Sequence, residues 1–123
     1  MNDYRLESPP ILRDFLSYHE TIKAHSQKTV DEYFLDLRNF FRYLKQSRDP
    51  SLRDLPLSEI SIMDVDLGFV KKVTLTDIYA YMTYLSRDRV QHQNSDVSDY
   101  GLNAASRARK IATIRSFYNY LVN

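Results

Sequence analysis

Two short runs in the 123-residue chain concentrate side chains suited to holding an anion: SQKT at residues 26–29 and SRARK at residues 106–110. Each reads as the opening of a helix. Each places cations there, Lys28 in the first and Arg107, Arg109 and Lys110 in the second, where the helix dipole already carries partial positive charge. An uncompensated cation in that position costs ~0.3–1 kcal/mol. A bound anion reverses the sign, because free N–H groups at a helix start hold phosphate and Arg or Lys adds charge-assisted bonds. Ser26, Gln27, Thr29, Ser106 and Thr113 supply short polar groups able to touch phosphates or base edges. A polyanion backbone fits this pattern, and duplex DNA has a major groove that admits a helix.

Solvated surface charge competes with that reading, since long basic stems cover apolar neighbours routinely. From the residues alone, an all-helical protein–protein interaction domain with no intrinsic DNA affinity therefore stays open as the alternative. Its support is the net charge of +1 and an acidic middle, with five bases against eight acids over residues 50–99. Residues 21–49 carry six bases against four acids, and residues 100–123 carry four bases and no acid. The positive charge thus lies in two helical segments that the total conceals.

Other chemistry finds no constellation. The chain has no cysteine, and its three histidines, His19, His25 and His92, are irregularly spaced, so no metal site is expected. Asp64 and Asp66 fall in a punctuated segment and read as solvated carboxylates. There is no glycine-rich phosphate loop, and no base or oxyanion partner surrounds any of the ten tyrosines. We expect no catalytic residue, no cofactor and no small-molecule substrate. No apolar run approaches the ~20 residues of a membrane span. The N-terminus, MNDYRLESPP, lacks a signal-peptide layout, so the expected location is the cytoplasm, with no membrane partner.

The elements that must position these residues follow from periodicity and punctuation. Two glycines and four prolines in 123 residues favour helices over many strands. A first helix is expected at about 9–24, capped by Ser8, with Leu12, Phe15, Leu16, His19 and Ile22 on its apolar face. Ser26 opens a second at about 26–46, where Val30, Tyr33, Leu37, Phe40, Phe41 and Leu44 form a stripe. Residues 47–73 form a long connector whose Leu55, Leu57, Ile60, Ile62, Val65, Leu67 and Phe69 suggest packing along the bundle, with one helical turn at LPLSEI. TLTD is a capping box that starts a third helix at Thr74, running to about 89, with Leu75, Ile78, Met82 and Leu85 as its core stripe. Residues 91–101 read as a polar loop. Asn103 then caps a fourth helix at about 103–121, buried through Ile111, Ile114, Phe117, Tyr118 and Leu121, with Arg109, Thr113, Ser116 and Tyr120 pointing away. The expected class is all-α, four main helices in two pairs.

The motifs also carry a resemblance. SQKTVDEYFLDLRNFFRYL resembles the second-helix signature of tyrosine recombinases through Ser26, Thr29, Tyr33, Asp36, Leu37, Phe40, Tyr43 and Leu44. SRARKIATIRSFYNYL resembles the last helix of the same domain, with Arg109, Ile111, Ile114, Arg115, Phe117, Tyr118, Tyr120 and Leu121 in register. VTLTDIYAYMTYL is similar to the helix between them. Together they span residues 11 to 123, and the part resembled is the N-terminal core-binding domain of phage integrases and Xer-type recombinases. The long connector departs from the shortest Xer examples and looks more like the Gram-positive Xer or mobile-element branch. Chromosome-dimer resolution and element integration therefore both stay open.

The resemblance implies a SAM-like orthogonal bundle of two helical hairpins, spanning residues 1–123 as a single domain. It implies a domain that forms half of a clamp on double-stranded DNA at a recombination-site arm. The second and fourth helices would enter the major groove, and the first would meet neighbouring protomers in a tetrameric synapse. The DNA-facing set it suggests is Ser26, Gln27, Lys28, Thr29, Tyr33, Ser106, Arg107, Arg109, Lys110, Thr113 and Arg115. The family's nucleophilic tyrosine and its partners belong to a separate catalytic domain, expected to be absent from this chain.

Overall fold

The computed structural model describes residues 6–92 and 98–122, with side chains described over 6–87 and 104–122. Every regular element among them is helical. The chain divides into two compact units, residues 1–72 and 73–122.

The first unit begins with α1, Pro10–Ser17, which passes directly into a wide π-type turn over Tyr18–Ile22. Pro9, not Ser8, occupies the cap position, and no side chain caps the helix. Proline in the first turn has no N–H to satisfy, so the missing cap costs little. Ser8 is instead buried, and its carbonyl accepts from Arg13 at 3.2 Å. The apolar stripe holds for Leu12, Phe15, Leu16 and His19 and fails at Ile22, which is exposed. A π-type turn takes more residues per revolution than an α-turn, so the three-residue step from His19 to Ile22 no longer keeps one face. Ala24 then takes a left-handed conformation, φ 55°.

Helix α2 runs from Gln27 to Arg48. Its N-cap is Ser26, as the sequence implies; Ser26 Oγ accepts from the Thr29 N–H at 3.2 Å. Val30, Leu37, Phe40, Phe41 and Leu44 are buried and Tyr33 is half-buried, joined by Phe34 and Asp36, which the periodicity did not single out. Each fully buried large apolar side chain contributes about 1.5–3 kcal/mol.

The connector packs, but it does so through polar side chains of α2 as much as through its own apolar ones. Ile60, Ile62 and Val65 are buried, whereas Leu55 and Leu67 are exposed. Single helical turns form at Pro50–Leu52 and at Leu57–Glu59, the second within LPLSEI as expected. Arg42 donates to the Ile60 carbonyl at 3.0 Å, and Gln46 donates to the carbonyls of Leu52 at 3.2 Å and Leu55 at 2.8 Å. Lys45 bonds the Ser61 carbonyl and the Asp64 carboxylate. The Arg48 guanidinium lies 4.7 Å from the centroid of the Phe69 ring. These donors satisfy carbonyls that an irregular segment leaves without ladder partners. A short helix α3, Leu67–Lys71, capped by Asp66, closes the unit.

The second unit is a pair of packed helices, α4 at Leu75–His92 and α5 at Ser98–Val122. The capping box forms as read: the Asp77 N–H donates to Thr74 Oγ1 at 3.1 Å, and the Thr74 N–H to Asp77 Oδ2 at 2.9 Å. Among the described side chains of α4 the deepest is Tyr81, 1% exposed, while Leu75 is largely exposed. Leu75 lies in the first turn, ahead of the part of the helix that is covered. Helix α5 starts five residues earlier than expected, so Asn103 lies inside it and is not its cap. Part of the expected 91–101 loop, residues 93–97, lies outside the described residues; positions 91, 92 and 98–101 are helical.

Candidate nucleic-acid interface

The two basic runs lie in different units, and the structure places them differently along their helices. At the start of α2 the expectation holds. Ser26, Gln27 and Lys28 are exposed and Thr29 is half-buried. No acidic residue occupies the first turn. The Ser26 hydroxyl accepts from the Thr29 N–H and donates to Thr29 Oγ1 at 3.1 Å, so it is engaged within the turn. Gln27 is also engaged, its amide donating to Asp31 Oδ1 at 2.8 Å. The N–H groups of Gln27 and Lys28 occupy the first two helical positions and have no acceptor within the helix. Two outward backbone donors and the Lys28 ammonium therefore share one exposed helix end.

On α5 the reasoning from the dipole is overturned. With the helix beginning at Ser98, Arg107, Arg109 and Lys110 lie beyond its first turn, where the dipole no longer acts. Their placement instead follows the helix face. Arg109 and Arg115 are exposed; Ser106, Arg107 and Lys110 are half-buried. Thr113 is a correction: expected to point outward, it is 1% exposed, and its hydroxyl donates to the Arg109 carbonyl at 3.1 Å. At about 100° per residue it lies only about 40° from Phe117, inside the buried sector. The outer side of α5 has a feature the sequence reading passed over. Ala104, Ala105, Ala108 and Ala112 are exposed there among Arg109, Arg115 and Asn119. The signal was present as alanines at helical spacing, which read as propensity rather than as a surface.

Tyr33, the remaining residue of the expected set, packs in a ring cluster behind the α2 start. It lies 5.8 Å from Phe15, 5.0 Å from His19 and 6.0 Å from His25, centroid to centroid. Burial, with the nearby His25 and Lys23 charges, holds the His19 pKa below its ordinary value of 6.5. Among the described residues no group of His, Cys, Asp or Glu could hold a metal ion. No described helix is long and apolar enough to cross a membrane.

The described residues thus present an exposed basic helix end on α2 and, on α5, exposed Arg109 and Arg115 among alanines. Residues 12–68 match the model of the family described as "Phage integrase, N-terminal SAM-like domain". The chain carries a phage-integrase SAM-like domain. The match covers α1, α2 and the connector into α3. Named relatives extend the similarity across the second unit. The chain is 42% identical over 116 residues to "Tyrosine recombinase XerC" of Caldanaerobacter subterraneus, 94% of this chain and 30% of that protein. It is 30% identical over 112 residues to a protein of the same name from Chlorobaculum tepidum, 91% of this chain and 26% of the relative. To "Tyrosine recombinase XerD" of Shewanella oneidensis it is 32% identical over 113 residues, 92% and 27%. The SAM-like chain thus spans less than a third of the length of these relatives. No solved structure matches it significantly.

Proposed function

We propose that this SAM-like chain binds duplex DNA as the N-terminal half of a tyrosine recombinase clamp and serves site-specific recombination. The observation that carries the reading is the start of α2, where Lys28 and two outward N–H groups stand exposed with no carboxylate in the first turn. Arg109 and Arg115 on the outer side of α5 support it, as do relatives that bear the name tyrosine recombinase. Lys28 neutralises a phosphate, while Arg109, able to bridge two acceptors of guanine, reads a base edge. Thr113 leaves the set of contacts. Residues 1–123 work as one core-binding domain, and strand cleavage belongs to a separate catalytic domain. The partners are the arm of a recombination site and other protomers of a synaptic tetramer, in the cytoplasm.

The test is fluorescence anisotropy on a duplex of about 30 bp across a range of salt. The expected result is binding that falls steeply with salt, with Lys28→Ala and Arg109→Ala each weaker and each lowering the salt slope by about one. Absence of binding at low ionic strength overturns the proposal and leaves the protein-interaction reading.

A further inference from the structure

The turn that delivers the chain into α2 is built around a histidine that the DNA-facing set does not use. His19 is 6% exposed. Phe15 of α1 meets its ring edge-on at 4.5 Å, Tyr18 at 5.2 Å and Tyr33 of α2 at 5.0 Å. The His25 ring stacks on it at 5.0 Å, the planes 22° apart. The backbone adds a second tie, the His25 N–H donating to the His19 carbonyl at 2.9 Å. Neither ring nitrogen of His19, nor Nδ1 of His25, has a hydrogen-bond partner among the described residues. Between the two histidines Ala24 holds its left-handed conformation, which persists only where the surroundings enforce it. Ser26, the cap of α2, follows His25 directly.

A neutral imidazole serves here as a flat plate. A protonated one carries two N–H donors that need acceptors, and burial disfavours its charge. The titratable groups around it are Tyr18 and Glu20 on the turn, Lys23 and His25 on the loop, and Tyr33 on α2. The charges that act on it, His25 and Lys23, both oppose a further positive charge.

We propose that neutral His19 latches residues 23–25 against α1 and α2, that the latch positions the Ser26–Thr29 turn for phosphate, and that protonation of His19 releases the turn. His19 is a positioning residue acting through His25 and the cap. The sign distinguishes it from a histidine that binds phosphate itself, which tightens on DNA as it gains charge; the latch loosens. The consequence for affinity rests on the DNA-binding reading, whereas the latch does not.

The experiment follows the histidine rings and the Ser26–Thr29 amides by NMR from about pH 8 to 5, the span in which imidazole titrates, with DNA affinity measured in parallel. The Ser26–Thr29 amides should shift with the midpoint of the His19 ring, below 6.5. Affinity should fall about tenfold by one pH unit below that midpoint, as the competent fraction shrinks. His19→Phe, flat and uncharged, should abolish both effects while binding normally at neutral pH. Amides that ignore the His19 titration in the unmodified chain overturn the latch, whether or not the variant folds. Affinity that rises through the titration, or falls identically in His19→Phe, overturns the positioning role. Loss of DNA binding at every pH overturns the DNA reading alone and leaves the latch to be decided by NMR.

Discussion

Arg42 Nε and the carbonyl oxygen of Ile60 meet at 3.0 Å across eighteen residues of sequence. That bond, with those of Gln46, makes the polar flank of α2 a mooring for the connector rather than a solvated face. Arg42→Ala should cost about 1–3 kcal/mol, because the Ile60 carbonyl loses its charged donor. Gln46→Ala should cost about 0.5–1.5 kcal/mol. Urea denaturation checks both, and neither variant should alter the salt slope of DNA binding.

The capping box at the start of α4 gives a sharper local test. Thr74→Ala removes the acceptor for the Asp77 N–H and should cost about 1 kcal/mol. Thr74→Ser keeps the oxygen and should retain most of that stability. Thermal melts of the two variants side by side decide it.

Thr113 separates fold from interface. Its hydroxyl is spent on the Arg109 carbonyl and the residue is buried. Thr113→Ala should lower stability by about 1 kcal/mol, in the usual range for a buried polar truncation. It should leave the salt slope of DNA binding unchanged, whereas Arg109→Ala should do the reverse. A Thr113→Ala variant with native stability and a reduced slope would contradict the placement.

Ala24 offers a stabilising change. Left-handed backbone costs a non-glycine residue roughly 1–2 kcal/mol, and glycine returns part of that gain as extra entropy of the unfolded chain. Ala24→Gly should therefore raise stability by about 0.5–1 kcal/mol, read as a higher urea midpoint.

His19 sets a pH dependence of stability with a definite sign. Its folded pKa is depressed below 6.5, by burial first and then by His25 and Lys23, so below 6.5 the unfolded chain binds the extra proton more readily. Stability from this group is complete above about pH 6.5, falls as pH drops toward the folded pKa, and levels off beneath it. Urea midpoints measured against pH should show this fall, and His19→Phe should flatten it.

The contrast between these sites shows which physics a sequence exposes. Ser26 with Thr29, and Thr74 with Asp77, are bonds across three residues, and their types and spacing stood in plain view. The stripe of α2 was equally legible, since its period is the helix's own. Ile22 was misplaced because a π-type turn changes the residues per revolution without a composition signal. Asn103 was misread as a cap because the polar residues before it suit a loop by composition, whereas α5 already begins at Ser98. The burial of Phe34, Asp36 and Tyr81 depends on what covers them, which no local pattern carries. In the candidate site, the α2 start was legible for the reason given. The cations of α5 lie beyond the first turn of the longer helix, so the dipole argument does not apply to them.

The exposed alanines of α5 give that side of the helix a topography. Methyl groups make a low floor, and Arg109 and Arg115 rise from it as two tall posts about 9 Å apart along the axis. Ala105 and Ala112 flank Arg109, and Ala112 flanks Arg115, at helical spacing, so each stem has a methyl group and not a long side chain on that side. On the DNA-facing reading proposed above, a bulky residue in place of Ala108 or Ala112 acts as a shim that lifts both guanidinium heads off the duplex together.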